Sequence, residues 1–231
     1  IIELPSSSEV GINPSKLIAL DDPVIEIEIT PNRGDCLGVR GIARDLSSFG
    51  LGSLKNLNIE EGEGEFDSTV KWKIDLPEEK KYLCPKIYGR TFKNIKNCVS
   101  PIWLKNRLTS IGLRPISALV DITNYIMIDI GRPLHAYDVK KITGNNLTVR
   151  LAKNGEKLKA LNGKLYDLQE EMLIISDDHG PDDLAGIMGG ERTGIDDNTT
   201  EMFLEAAIFS PSEVSKTGRK LNINTDARYR F

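Results

Sequence analysis

The sequence predicts an α+β fold with a core built mainly from strands. Two helical patterns stand back to back between residues 100 and 130. Five short strand patterns follow them, separated by Asn-Gly or Asp-rich turns, and a last helix closes the chain. Helices grouped apart from a run of strands argue for α+β rather than alternating α/β architecture. No internal repeat is present.

In chain order, Val24-Ile25-Glu26-Ile27-Glu28-Ile29-Thr30 alternates apolar and acidic residues, the period of a half-buried strand. After Pro31-Asn32-Arg33-Gly34, Asp35 is placed to cap a helix over 36–49 with the stripe Val39, Ile42, Ala43, Leu46, and Gly50 to close it. Residues 51–68 are rich in Gly, Ser and Glu and read as a linker. One strand and one helix ahead of a linker cannot bury a core, so this segment is expected to be half of a small domain. Strands are predicted at 69–75, where Val70, Trp72 and Ile74 alternate, and at 82–92. Ser100-Pro101 opens a helix to Ile111 with Gly112 after it, and a second helix over 117–130 ends at Gly131. Strands are then expected at 147–152, 157–161, 172–176, 184–188 and 202–208. Ser210-Pro211-Ser212-Glu213 reads as a capping box for the last helix.

The 231 residues are 39% hydrophobic and 28% charged, a balance that excludes disorder, and no apolar run is long enough to span a membrane. The start Ile1-Ile2-Glu3-Leu4-Pro5 has no signal-peptide character, and a chain opening on Ile1 is expected to be a piece of a longer one. Cys36, Cys84 and Cys98 are scattered and form no CxxC, so a reduced cytosolic chain without a zinc site is expected.

Charge is uneven. Residues 1–80 carry 8 basic and 16 acidic side chains, whereas 81–120 carry eight basic residues and no carboxylate. Such a run suits a phosphate-facing surface, or it balances the acidic stretch 165–205, where twelve carboxylates face Arg192 alone.

Ala185-Gly186-Ile187-Met188-Gly189-Gly190 is neither a dinucleotide fingerprint nor a P-loop, and a tight turn or close packing competes with phosphate binding. The Asp177-Asp178 and Asp182-Asp183 pairs lack calcium-loop spacing and read as a solvated turn. No GxSxG or HExxH occurs, which removes serine-hydrolase and zincin chemistry. His135 follows a helix and is either a structural donor or a functional imidazole. Glu205 sits in the apolar run 202–209, where a carboxylate is costly unless it has a partner. It either meets a backbone or Arg group, or it accepts a hydrogen bond from a ligand.

Six segments in order resemble the family of bacterial phenylalanyl-tRNA synthetase beta subunits: 29–37 (ITPNRGDCL), 112–115 (GLRP), 120–125 (VDITNY), 131–138 (GRPLHAYD), 185–191 (AGIMGGE) and 224–231 (NTDARYRF). The resemblance covers about residues 20–231 and is to the family's tRNA-editing region. It implies an α+β editing domain with a strand-sandwich core of unusual topology flanked by helices, preceded by half of a small split α/β domain. The implied boundaries are 1–55 for the split-domain part, 56–75 for linker and entry strand, and 76–231 for the editing domain.

The implied reaction is hydrolysis of misacylated Tyr-tRNA(Phe). A pocket built for Phe rejects one added hydroxyl by only about 10²-fold, so a second, tyrosine-selective site is needed. The resemblance places Glu205 as the tyrosine-recognising group, with Gly186, Gly189, Thr225, Ala227 and Thr123 around the substrate. It places Arg114, Asn124 and His135 at the terminal adenosine and the ester. No nucleophile–base–acid set is visible, which favours a positioned water over an acyl-enzyme, assisted by His135, Asn124 or the free ribose hydroxyl. No cofactor or metal is implied in this chain; ATP and Mg²⁺ go with the whole enzyme. The implied partners are the 3′ end of tRNA(Phe) carrying tyrosine and an alpha subunit in an alpha2-beta2 tetramer, with no membrane. A non-enzymatic tRNA-docking or subunit-contact module and a free-standing trans-editing factor are the competing readings.

Overall fold

The computed structural model describes Leu4 and residues 6–17, 23–59 and 62–231. The described elements begin with α1 (Pro14–Leu17), a 3-10 turn over Gly34–Cys36, and α2 (Val39–Ser48). After the linker come β1 (Lys71–Asp75), β2 (Lys86–Lys93), α3 (Ile102–Ser110), α4 (Ala118–Ile130) and β3 (His135–Asp138). Next are β4 (Asn146–Leu151), β5 (Lys157–Lys159), β6 (Leu165–Asp167), β7 (Leu173–Ser176), β8 (Pro181–Leu184) and β9 (Met188–Gly189). The chain closes with β10 (Glu201–Ile208), α5 (Pro211–Lys220) and α6 (Asp226–Arg230).

Two larger sheets and the β5–β6 pair share one core, so the α+β class with a strand-built core is what the chain adopts. The larger sheet has the order β1-β4-β7-β8-β9, parallel between β1 and β4 and antiparallel elsewhere. The smaller, β2-β10-β3, is antiparallel with β10 in the middle. Buried Leu147, Val149, Ile174, Ile175 and Leu184 from the first meet Tyr137 and Phe203 from the second. Trp72 of β1 bridges them, its ring 5.4 Å from Phe203 and 6.5 Å, edge-on, from Tyr137. Aromatic contacts of this geometry add to the burial itself.

The helices lie beside this core. Buried Asp121 of α4 accepts from Ser100 Oγ at 2.5 Å and from Ile116 N at 2.9 Å, joining the start of α3 to the start of α4. Gly131 ends α4 in the left-handed region at φ 74°. Gly50 and Gly112 likewise follow their helices at positive φ, as expected. α2 packs on α4, and Arg230 Nε of α6 donates to Leu37 O at 3.1 Å, so the first segment is in contact with the last.

Several expectations are corrected. Residues 23–30 form no strand and pair with none among the described residues, and Val24, Ile25 and Ile27 are exposed. Alternation alone does not make a strand, which exists only where a neighbour supplies the ladder. Asp35 does not cap α2. Gly38 holds that position, and Asp35 is drawn instead to the guanidinium groups of Arg33 and Arg44. The α2 stripe is only partly covered, with Val39 and Leu46 exposed and Gly41 buried. The capping box at α5 does not form: Ser210 Oγ bonds Ser212 Oγ at 3.0 Å, while Glu213 faces Lys216. The span 184–188 is a turn between β8 and β9 rather than a strand, because Gly186 takes φ +71°. β3, β6 and α6 carry too few residues to show a period and were not anticipated.

Candidate functional site

A cavity of about 260 Å³ opens where both sheets meet α4 and α6. β10 supplies Glu205. Its neighbours Phe203 and Ala207 point to the same buried side, and its register partners are Gly89 on β2 and His135 on β3. α4 supplies Thr123, Asn124 and Met127, adjacent on one helical face. The β8–β9 turn supplies Gly186 and β9 supplies Gly189. At Gly189 a Cβ would collide with His135 Cε1, so the missing side chain is what lets the imidazole lie against the turn.

The last helix is tied to the same turn. Thr225 caps α6 by accepting from Arg228 N at 3.1 Å, and its hydroxyl donates to Ile187 O at 2.8 Å. This carries Thr225 and Ala227 to the cavity wall.

Glu205 is 6% exposed, and among the described residues no group donates to its carboxyl. Burial, and then the charge of Asp183, push its pKa up to about 8. A shift in this direction favours the protonated acid, the form able both to donate and to accept.

Asp183 of β8 enters the same wall. It accepts from the Tyr137 hydroxyl and from Gly190 N at 2.9 Å. His135 Nε2 lies 3.4 Å from Asp183 Oδ1, buried and without a hydrogen bond. The His135 ring meets Tyr137 edge-on at 4.5 Å between centroids. Asp183 and Tyr137 were missed by sequence reasoning, which took the Asp-rich segment as a solvated turn. That reading is corrected: Asp177, Asp182 and Asp183 are buried, and of the four Asp178 alone is exposed. Arg192 pairs Asp177 at 2.7 Å and Asp182 at 2.5 Å. Asp182 is pushed up to about 7 by burial, by Asp183 and by Asp177, against the pull of Arg192. The signal available was the one that singled out Glu205, a carboxylate followed directly by the apolar residues Leu184, Ala185 and Ile187.

Of the residues singled out from the sequence, Thr123, Asn124, His135, Gly186, Gly189, Glu205, Thr225 and Ala227 are brought together here. Arg114 is not: it is exposed in the loop between α3 and α4 and is absent from the lining. None of the eight basic residues of 81–120 lines the cavity; they are divided among a 3-10 turn over Glu78–Leu83, β2, α3 and the intervening loops. Among the described residues, the one grouping with metal-ligand spacing is Asp35, Cys36 and Asp45. Arg33 donates to Asp35, to Cys36 Sγ at 2.8 Å and to Asp45 at 2.6 Å, so cations of the chain already serve those ligands. No helix of the described residues is long and apolar enough to cross a membrane.

Residues 83–231 match the family model of the B3/4 domain. The whole chain is 52% identical to the phenylalanine–tRNA ligase beta subunit of Paramagnetospirillum magneticum, covering 29% of that protein. It is also 52% identical to the beta subunit of Nitrobacter winogradskyi, covering 28% of it. The chain thus spans less than a third of the length of these relatives. A crystal structure of an N-terminal fragment of the phenylalanyl-tRNA synthetase beta subunit from Pyrococcus horikoshii aligns over 85% of this chain and 62% of that one, at 17% identity and a TM-score of 0.43.

Proposed function

Because the chain belongs to the B3/4 domain family, as a segment of a phenylalanine–tRNA ligase beta subunit, we propose that its cavity removes tyrosine from misacylated Tyr-tRNA(Phe) by hydrolysing the aminoacyl ester. The observation that carries this reading is Glu205, a buried carboxyl with no donor among the described residues, at the wall of a small, largely apolar cavity. Drug-sized pockets run to roughly 300–1,000 Å³, so this smaller space suits a single aminoacyl group. A tyrosine phenol would satisfy Glu205. Phenylalanine would leave it unmet, and that difference separates substrates by as much as about 10⁴–10⁵.

The reacting end of the substrate then lies toward α4 and β3. Asn124 and His135 stand where a water can be held against the ester carbonyl. Water adds to that carbon and gives up a proton, the bond to the ribose oxygen breaks, and that oxygen takes up the proton to become a hydroxyl as tyrosine leaves. No covalent enzyme intermediate is needed. Gly186 and Gly189 let backbone close over the ring. In the same proposal the whole enzyme works with ATP and Mg²⁺, tRNA(Phe) and an alpha subunit in the cytoplasm.

The test is deacylation of preformed Tyr-tRNA(Phe) by the full-length ligase and its Glu205→Ala variant. The variant is expected to leave the ester intact while making Phe-tRNA normally. Clearance at the parent rate would assign Glu205 a structural role.

A further inference from the structure

Two buried carboxyl groups line the cavity, and their surroundings are unequal. Asp183 is 3% exposed and has the Tyr137 hydroxyl, Gly190 N and His135 Nε2 around it. Glu205 is 6% exposed and, among the described residues, has neither a donor nor a cation within ion-pair distance. Two carboxyls sharing a site of low polarity do not both ionise, and the charge settles on the one with hydrogen-bond donors. We propose that Asp183 is a positioning residue of this site: it holds the negative charge of the pair and thereby keeps Glu205 a neutral acid that both donates to and accepts from a tyrosine phenol. This inference rests on the reading of the cavity as a tyrosyl-ester site.

A neutral acid matches a neutral phenol group for group, since each has one hydroxyl donor and an acceptor oxygen. An ionised Glu205 would accept the phenol proton but would remain a charge without a counter-ion, the costliest arrangement for a buried group.

The other groups facing Glu205 leave its proton in place. Gly89, its register partner on β2, brings no charge. The Cys84 thiol, ahead of β2, is pushed up to about 12 by burial and by Glu205, so it stays neutral. On β3, the Tyr137 phenol is raised well above its usual range by burial and by Asp183, and its proton is committed to Asp183. His135, also on β3, turns Nε2 to Asp183 rather than to Glu205. Asp182, next along β8, is paired with Arg192.

The experiment is the pH profile of kcat/KM for Tyr-tRNA(Phe) hydrolysis by the full-length ligase, corrected for uncatalysed hydrolysis. The parent is expected to lose activity on a limb near pH 8, where Glu205 gives up its proton. In Asp183→Asn that limb is expected to move to lower pH by about one unit or more, the effect of one neighbouring charge. If Asp183 is merely structural, the rate drops at every pH and the limb stays in place, which overturns the inference. Glu205→Gln, neutral at all pH, gives an independent arm. It is expected to keep hydrolysis within about tenfold of the parent at neutral pH, the worth of one modest change in hydrogen bonding, and to lose the limb. A folded Glu205→Gln enzyme without activity at neutral pH overturns the neutral-acid role. Failure of the underlying reading looks different: Glu205→Ala would then hydrolyse Tyr-tRNA(Phe) like the parent.

Discussion

Glu205 and His135 are register partners in the antiparallel pair of β10 and β3, so one ladder sets the spacing between the cavity's acid and its imidazole. Neither sits on a free loop. Any change that slips this pairing by one residue turns Glu205 from the inner face of the sheet to the outer one.

Adjacent glycines in the β8–β9 region should respond differently to the same substitution. In Gly189→Ala the new methyl meets the His135 ring, a side chain that can swing away. The variant is expected to fold and to lose Tyr-tRNA(Phe) hydrolysis. In Gly190→Ala the methyl meets the backbone oxygen of Asp182, which cannot yield without breaking β8. Overpacking of that kind costs roughly 1–3 kcal/mol or more, so a lowered melting temperature is expected there. Melting curves beside deacylation rates check both.

Ala227→Trp should fill the cavity. Ala227 is half-buried on α6 and faces the open space rather than the packed core. The indole can take the substrate's place with little strain. We expect near-parental melting with hydrolysis abolished. A drop of several degrees, at roughly 2–4 °C per kcal/mol for this size, would put Ala227 in the core instead.

Stability should fall as pH rises through the neutral range. Glu205 is raised to about 8 and Asp182 to about 7, whereas both ionise near the ordinary carboxylate range once unfolded. Between about pH 4.5 and 8 the folded state therefore holds more protons than the unfolded one, and the stability present at low pH is lost as pH rises. Asp177, held low against its burial by the Thr143 amide and Arg192, and Glu156, held low by Arg150, act in the opposite sense, at and below the ordinary carboxylate range. Glu205→Gln removes one of the two raised groups. Its stability is expected to gain on the parent by up to about 1.4 kcal/mol per pH unit across that window. Urea denaturation of this chain at pH 5.5 and 7.5 measures the difference.

Thr225→Ala should detach α6 from the turn. The hydroxyl both caps that helix and bonds Ile187 O. We expect a loss of about 1 kcal/mol from the cap, and faster amide exchange at Arg228. Thr225→Ser, which keeps both bonds, should restore the parent behaviour.

Much of this arrangement could be read from residues alone, and the reasons are local. α4 carries a period over thirteen residues and ends at a glycine, and β10 beyond Glu201 is a long apolar run interrupted by one acid. What stayed hidden depends on distant partners. β3 has four residues, too few for a period, and Asp183 looks like a surface aspartate until Tyr137 arrives from 46 residues away to donate to it. The failed cap at Asp35 has the same cause: two arginines compete for a carboxylate that local spacing assigned to a helix end. Residues 24–30 show the limit from the other side, since their alternation is plain and yet they pair with no strand among the described residues.

The middle position of β10 sets an order of events as the chain emerges from the ribosome. β2 and β3 have no direct ladder between them, and each waits for a strand more than 60 residues further along than β3. β1 waits similarly for β4, its parallel partner across some 70 residues. Pairings of such long range form slowly, and until they form the unpaired strands are open to wrong neighbours. The wall that holds Glu205 against His135 is then among the last parts of the domain to close. A nascent chain stalled before Glu201 would expose β2 and β3 as two loose edges, each a ready acceptor for the β10 of another copy.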